Sequence, residues 1–167
     1  QKLNAGLGKV FKITTDGKSA PHNPFLNTAG VMPEIYSYGH RNPQSLAINP
    51  ATGDLWEAEF GPRGGDELNL IKAGKNYGWP TITYGIEYGG PKVGEGIQQK
   101  EGMEQPVYYW VPSIATCGMT LVTGDKYPGW KNDVLVGGLV LTHVARIDLN
   151  AEWKSVKYEK LLDKVGR

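Results

Sequence analysis

One cysteine, Cys117, stands in 167 residues, which excludes an internal disulfide and any cysteine-rich zinc site. Its expected place is the core, as a small apolar side chain rather than a nucleophile. Charge of one sign is also missing. Eighteen Lys+Arg against 17 Asp+Glu leave a net charge of +1, which gives no field to draw in nucleic acid or an acidic membrane surface. No apolar run approaches a membrane span, and no leader peptide is visible. Because the first residue is Gln1 rather than Met, that second absence carries no information. Histidine is scarce, with only His22, His40 and His143. Sustained helical periodicity is missing altogether.

Turn formers are plentiful instead. Twenty-three glycines and eleven prolines imply many tight turns, and 40% hydrophobic with 21% charged residues describes a soluble globular chain long enough for one ordinary core. Gly8–Ile13 alternates polar and apolar residues and meets Asp16-Gly17, the pattern of a strand closed by a hairpin turn. Pro21–Gly30 reads as a surface loop and Glu34–Tyr38 as a short strand. Ser45–Ile48 and Asp54–Glu59 flank a turn, and Leu68–Ile71 follows as a further strand. Patterning lapses from Gly85 to Glu104, which predicts a long excursion loop. Strands resume at Val107–Trp110, Met119–Val122, Asp133–Val136 and His143–Leu149, with Val156–Leu162 placed to pair with the last. Short strands between turn signals indicate an all-β fold, and pattern alone leaves sandwich, barrel and propeller open. The segment ahead of Asp16-Gly17 echoes His143–Asp148, a faint internal repeat of the kind that suits blades.

Chemistry concentrates in one stretch. Arg41 offers a planar fork suited to gripping a carboxylate in two places. Gly61-Pro62 sets backbone carbonyls on a turn where a hard cation could take them, and Asp66-Glu67 adds negative oxygen. An anion-gripping arginine beside a candidate calcium site points to a ligand that is itself a polycarboxylate.

Four motifs occur in order: GHRNPQ, GP followed by DELN, NYGWP, and WVPSIA. Together they resemble the signature region of the soluble quinoprotein glucose/sorbosone (aldose sugar) dehydrogenases, and the resemblance runs from about Leu7 to the last residue. It implies part of a six-bladed β-propeller that holds pyrroloquinoline quinone (PQQ), a tricarboxylate, over Ca²⁺. At roughly 40–50 residues per blade, residues 1–167 make about three to four blades of one propeller domain, truncated at both ends.

The resemblance further implies that Arg41 and Asn42 contact PQQ, with Gln44 in the same pocket, and that Trp110, Pro112 and Ser113 wall the cofactor and sugar cleft. Arg167 matches the start of a later cofactor motif. Gly61 and Pro62 match the pair whose carbonyls ligate the cofactor's calcium; Glu67 and the Tyr77 carbonyl match a structural calcium, with Glu87 as a third ligand. The family's catalytic base lies in an earlier Asp-His pair that this chain lacks. His22 is expected to be exposed, His40 to orient or pack, His143 to open a strand, and none to act as the base. Val140 stands where several relatives place a quinone-contacting lysine.

The reaction implied is oxidation of a sugar C1 hydroxyl to a lactone by hydride transfer to the quinone, with an external electron acceptor reoxidising it. The chain alone is expected to be inactive. The implied location is periplasmic or secreted, and the implied partner, beyond an aldose sugar, is the missing part of the propeller or a second copy. Two alternatives stay open on residues alone: a calcium-dependent propeller lactonase and a non-catalytic binding module.

Overall fold

The computed structural model describes residues 1–164, so the Arg167 expectation lies outside the described residues. They form ten strands and no helix: β1 (Lys9–Phe11), β2 (Ile35–Tyr38), β3 (Pro43–Ile48), β4 (Leu55–Glu59), β5 (Asp66–Ile71), β6 (Tyr108–Trp110), β7 (Thr116–Leu121), β8 (Val134–Gly138), β9 (His143–Leu149) and β10 (Ser155–Leu161). Every strand expected from alternation is present, with His143–Leu149 unchanged and no boundary moved by more than three residues.

Consecutive strands pair antiparallel. β1 pairs with β2, while β3-β4-β5-β6 and β7-β8-β9-β10 are four-stranded meanders. The two meanders meet through their first strands: β3 packs on β7, and Ser45 Oγ accepts a hydrogen bond from Met119 N at 3.0 Å. Sheets that radiate from neighbouring first strands and pack face against face are consecutive propeller blades.

The core lies between these two sheets. Strand alternation sends Trp56 and Ala58 of β4 and Leu68 of β5 to one face, where they meet Leu121, Val134, Val136, Ala145 and Ile147 of the second sheet. Burying each large apolar side chain contributes about 1.5–3 kcal/mol, so this seam dominates the packing. At its outer edge Arg146 is buried; its Nε donates to Asp133 at 2.6 Å, its Nη1 reaches Glu159, and its guanidinium stacks over Trp130 at 4.3 Å. That pairing satisfies two acids a packed sheet edge would otherwise disfavour.

Two expectations need correction. Asp16-Gly17 does turn the chain, but it closes only the isolated bridge Ile13↔Ser19, because Pro21 follows at once and β1 finds its partner in β2. β1 therefore stands to β2 as β9 stands to β10, which is where the faint repeat places it. Cys117 is half-buried rather than fully in the core: a bulge between Thr116 and Met119 sets its sulfur against Gly137, whose missing side chain leaves it room. The 85–104 excursion carries isolated bridges but no strand, as expected.

Candidate functional site

The first meander has a second face, turned away from the core, and this face is acidic. In β4, Glu57 and Glu59 alternate with Trp56 and Ala58; in β5, Glu67 and Asn69 alternate with Leu68. The antiparallel register sets Glu57 opposite Asn69 and Glu59 opposite Glu67. Glu57 has no exposed surface and Glu59 very little. Asn69 Nδ2 stands among all three acids, 3.1 Å from Glu57 Oε2 and 3.3 Å from both Glu59 Oε1 and Glu67 Oε2. Burial, reinforced by the Glu59 charge, holds the Glu57 and Glu67 carboxyls well above the ordinary glutamate range.

The lid over this face is built from two loops. Gly39 has φ +79°, and a Cβ there would overlap Asn76 Oδ1, so only glycine lets the 76–79 loop lie along the chain. Tyr77 N then donates to Tyr38 O at 2.8 Å and Trp79 N to Gly39 O at 2.8 Å. The Tyr77 ring stacks on His40 at 4.7 Å, and its hydroxyl donates to Leu70 O at 2.6 Å. Burial pushes that hydroxyl's pKa up, so it stays protonated and keeps donating.

Arg41 sits where lid and acids meet. The backbone N–H groups of Arg41 and Asn42 donate to Glu59 Oε2 at 2.8 and 3.2 Å, which fixes the arginine at the entrance to β3. Its guanidinium turns outward, donating from Nη1 to Phe60 O at 3.2 Å and lying 5.2 Å from the Trp79 ring, while its buried Nε has no partner. Arg41, Gly61, Pro62, Glu67 and Tyr77 line one small hollow with Glu59 and Thr83. The residues expected to hold two separate calcium ions are thus neighbours. The buried Gly61 and Pro62 carbonyls accept no hydrogen bond from another described residue. Gly61 cannot carry a side chain because the Gly64-Gly65 backbone occupies the space.

Asp66 ties this turn to the later motif. Its buried carboxylate accepts from Gly61 N at 3.0 Å, from Ser113 Oγ at 2.8 Å and from Ala115 N at 2.8 Å.

Other expected residues fall elsewhere. Ser113 directs its hydroxyl at Asp66, so it braces the loop instead of facing a cleft. Trp110 is 4% exposed and packs in the core while also lining the broad hollow beside it; Tyr109 next to it is the exposed aromatic, stacked on Tyr84 at 3.7 Å. Pro112 is exposed next to it, on the rim of a broad hollow that Tyr109 and Tyr158 also line. Asn42 and Gln44 are exposed, and Gln44 lines neither hollow at Arg41. Glu87 is exposed on the excursion, with no hydrogen bond or ion pair to Glu67 among the described residues. Val140 lies exposed on the turn between β8 and β9. His22 is exposed, His40 is buried in the lid, and His143 opens β9 with Nε2 2.9 Å from the Tyr158 hydroxyl.

Sequence reasoning misses Glu57, Glu59 and Asn69 as a cluster. The signal for them is two pairs at i, i+2, Glu57/Glu59 and Glu67/Asn69, each sharing a strand face.

A β-propeller segment with an acid-lined, arginine-capped loop site is the class of protein these features define. Residues 1–167 match the family described as Glucose / Sorbosone dehydrogenase, and the chain belongs to that family. It is 43% identical over 153 residues to the aldose sugar dehydrogenase YliI of Escherichia coli K12, covering 91% of this chain and 41% of that protein. A crystal structure of a glucose dehydrogenase superposes with a TM-score of 0.91 at 44% identity, covering 96% of this chain and 46% of that one. The PQQ-bound aldose sugar dehydrogenase of Streptomyces coelicolor superposes with a TM-score of 0.72 at 33% identity, covering 96% and 41%. The chain therefore spans a little under half the length of these relatives. Three sheets in that share is the proportion a six-bladed ring gives.

Proposed function

We propose that this chain supplies the cofactor-gripping half of a PQQ-dependent sugar dehydrogenase that oxidises the C1 hydroxyl of an aldose. The observation that carries the reading is the shared hollow: Arg41, Gly61, Pro62 and Glu67 all line it, and the Gly61 and Pro62 carbonyls accept no hydrogen bond from another described residue. A tricarboxylate and a hard cation suit that donor set, since calcium takes six to eight oxygens and two carbonyls complete a site only with oxygens from a ligand or water.

The fit has support in the free groups. Arg41 Nε is buried without a partner, and the guanidinium is braced by Trp79 and Phe60 in an orientation open to an anion. Gly61 and Pro62 would hold the cofactor's calcium, while Glu67 and the Tyr77 carbonyl would hold a structural one. The bound quinone would supply the hydride-accepting chemistry. Arg41 would steady negative charge at its oxygens, a preorganised cation at the place where charge develops. No described histidine is placed to take the sugar's proton: His40 is sealed under Tyr77 and His143 is engaged by Tyr158. The chain by itself therefore binds but does not turn over.

Calorimetric titration of the metal-stripped chain with Ca²⁺, with and without PQQ, tests this. We expect Ca²⁺ binding without PQQ that Glu67→Gln abolishes, and a further site seen only with PQQ that Arg41→Ala weakens by at least tenfold. PQQ binding unchanged by Arg41→Ala, or no second calcium, would refute the reading.

The chain's partner on this reading is the remainder of the ring. Phe11, Ile13, Leu46 and Ile48 border an open apolar groove beside the first meander, and Ile48 alone is 65% exposed. Val156, Leu162 and Tyr127 are exposed at the far sheet. Exposed apolar faces of this kind mark interaction surfaces. Light scattering on the isolated chain should show self-association that rises with concentration, and a monomer at every concentration would count against it.

A further inference from the structure

We propose that His40, Glu57 and Glu59 form a binding site for a divalent first-row transition-metal ion, with Zn²⁺ the fitting member, separate from the oxygen-only calcium positions. One ligand atom from each of the three residues lies within 4.8 Å of the others, and all three side chains are buried. An imidazole nitrogen with two carboxylates is a donor set for zinc and its neighbours, whereas calcium is held by oxygen.

Geometry makes this more than a group of acids. His40 Nδ1 and Glu57 Oε1 are buried without a hydrogen-bond partner, a costly state for two polar atoms that face the same space. His40 Nδ1 stands 3.8 Å from Glu59 Oε1, too far for a hydrogen bond. Two ligands about 2.1 Å from one tetrahedral ion sit about 3.4 Å apart and spread further as the angle opens, so the observed gap suits an ion between them.

The surroundings fix each ligand. His40 Nε2 lies 2.8 Å from Ser37 Oγ, so with its proton on Nε2 the ring leaves the Nδ1 lone pair facing the acids. Second-shell partners commonly orient metal-bound histidines this way. Tyr77 stacks on the ring and holds its plane. Glu59 Oε2 is engaged by the Arg41 and Asn42 backbone, and Oε1, which accepts only from Asn69 Nδ2 at 3.3 Å, is the oxygen that faces His40. Asn69 Nδ2 braces the two carboxylates, donating to Glu57 Oε2 at 3.1 Å and Glu59 Oε1 at 3.3 Å. Arg41 does not neutralise the cluster, because its guanidinium is directed to Phe60 and Trp79.

The test is titration of the chelator-treated chain with Zn²⁺ and Co²⁺ in the presence of millimolar Ca²⁺. We expect one Zn²⁺ per chain, a rise in melting temperature, and visible Co²⁺ absorption of a low-coordinate site. Glu57→Gln and His40→Gln should each weaken Zn²⁺ binding at least 100-fold, while Glu67→Gln should leave it within threefold. Glu57→Gln preserves shape and removes one ligand carboxylate, so it decides the matter if His40→Gln fails to fold. Failure to bind Zn²⁺, or binding that survives Glu57→Gln, would overturn the assignment and leave the cluster as acids sharing protons. Loss of Ca²⁺ binding alone would bear on the calcium reading and not on this one.

Discussion

Asp66→Ala should cost about 3–5 kcal/mol of folding stability, because it leaves the buried Gly61 N–H without an acceptor and removes the carboxylate that Ser113 Oγ, Ala115 N and Thr116 N share. Hydrogen bonds to a buried carboxylate are worth more than neutral ones, and this carboxylate joins the Gly61-Pro62 turn to the Ser113–Thr116 segment, 47 or more residues away. Urea unfolding would report the loss as a lower midpoint at unchanged slope. Ser113→Ala removes only one donor and should cost about 1 kcal/mol. The comparison matters functionally: if Asp66 holds the carbonyls in place, Asp66→Asn should weaken calcium affinity more than Ser113→Ala does. Equal, small effects of Asp66→Ala and Ser113→Ala would show that the turn holds itself.

The acid face gives the second large effect. Glu57 and Glu67 hold their protons above the ordinary glutamate range because burial, and then the Glu59 charge, disfavour ionisation. The folded chain therefore keeps protons that the unfolded chain has released. That contribution is complete below about pH 4, the unfolded glutamate range, and drains as pH rises until the folded-state groups ionise. Each retained proton lowers stability by about 1.4 kcal/mol per pH unit over that window. In chelator, wild type should lose stability relative to Glu57→Gln as pH goes from 5 to 8, and added divalent cation should narrow the difference by replacing the proton. A wild-type-minus-variant difference that is flat, or that grows in favour of wild type with pH, would contradict this.

All ten strands were legible in the sequence, since strands such as His143–Leu149 alternate so cleanly that a single register satisfies both faces. Which strands share a sheet was not, because the same alternation serves a sandwich, a barrel or a blade. The motifs located Arg41, Gly61, Pro62, Glu67 and Tyr77, and these do converge on one hollow. Their convergence depends on Gly39 and Gly78 letting two loops touch, a tertiary fact no spacing encodes. Glu57 and Glu59 were passed over as ordinary strand acids because exposed acids alternate in the same way. Only the cover supplied by His40 and Tyr77 makes them buried. The motif implies that Trp110 and Ser113 wall a cleft; in the structure Trp110 packs in the core and lines the broad hollow, and Ser113 Oγ donates to Asp66.

Consecutive-strand pairing within each sheet also has a practical side. The arginine, the Gly61-Pro62 turn, the acid face, the lid and the Asp66 brace all fall between Ser37 and Thr116, an unbroken stretch that contains one whole meander. The recognition chemistry is therefore a cassette. It could be exchanged between family members as a single genetic insert, with only two junctions to match and the neighbouring sheet left as a common socket.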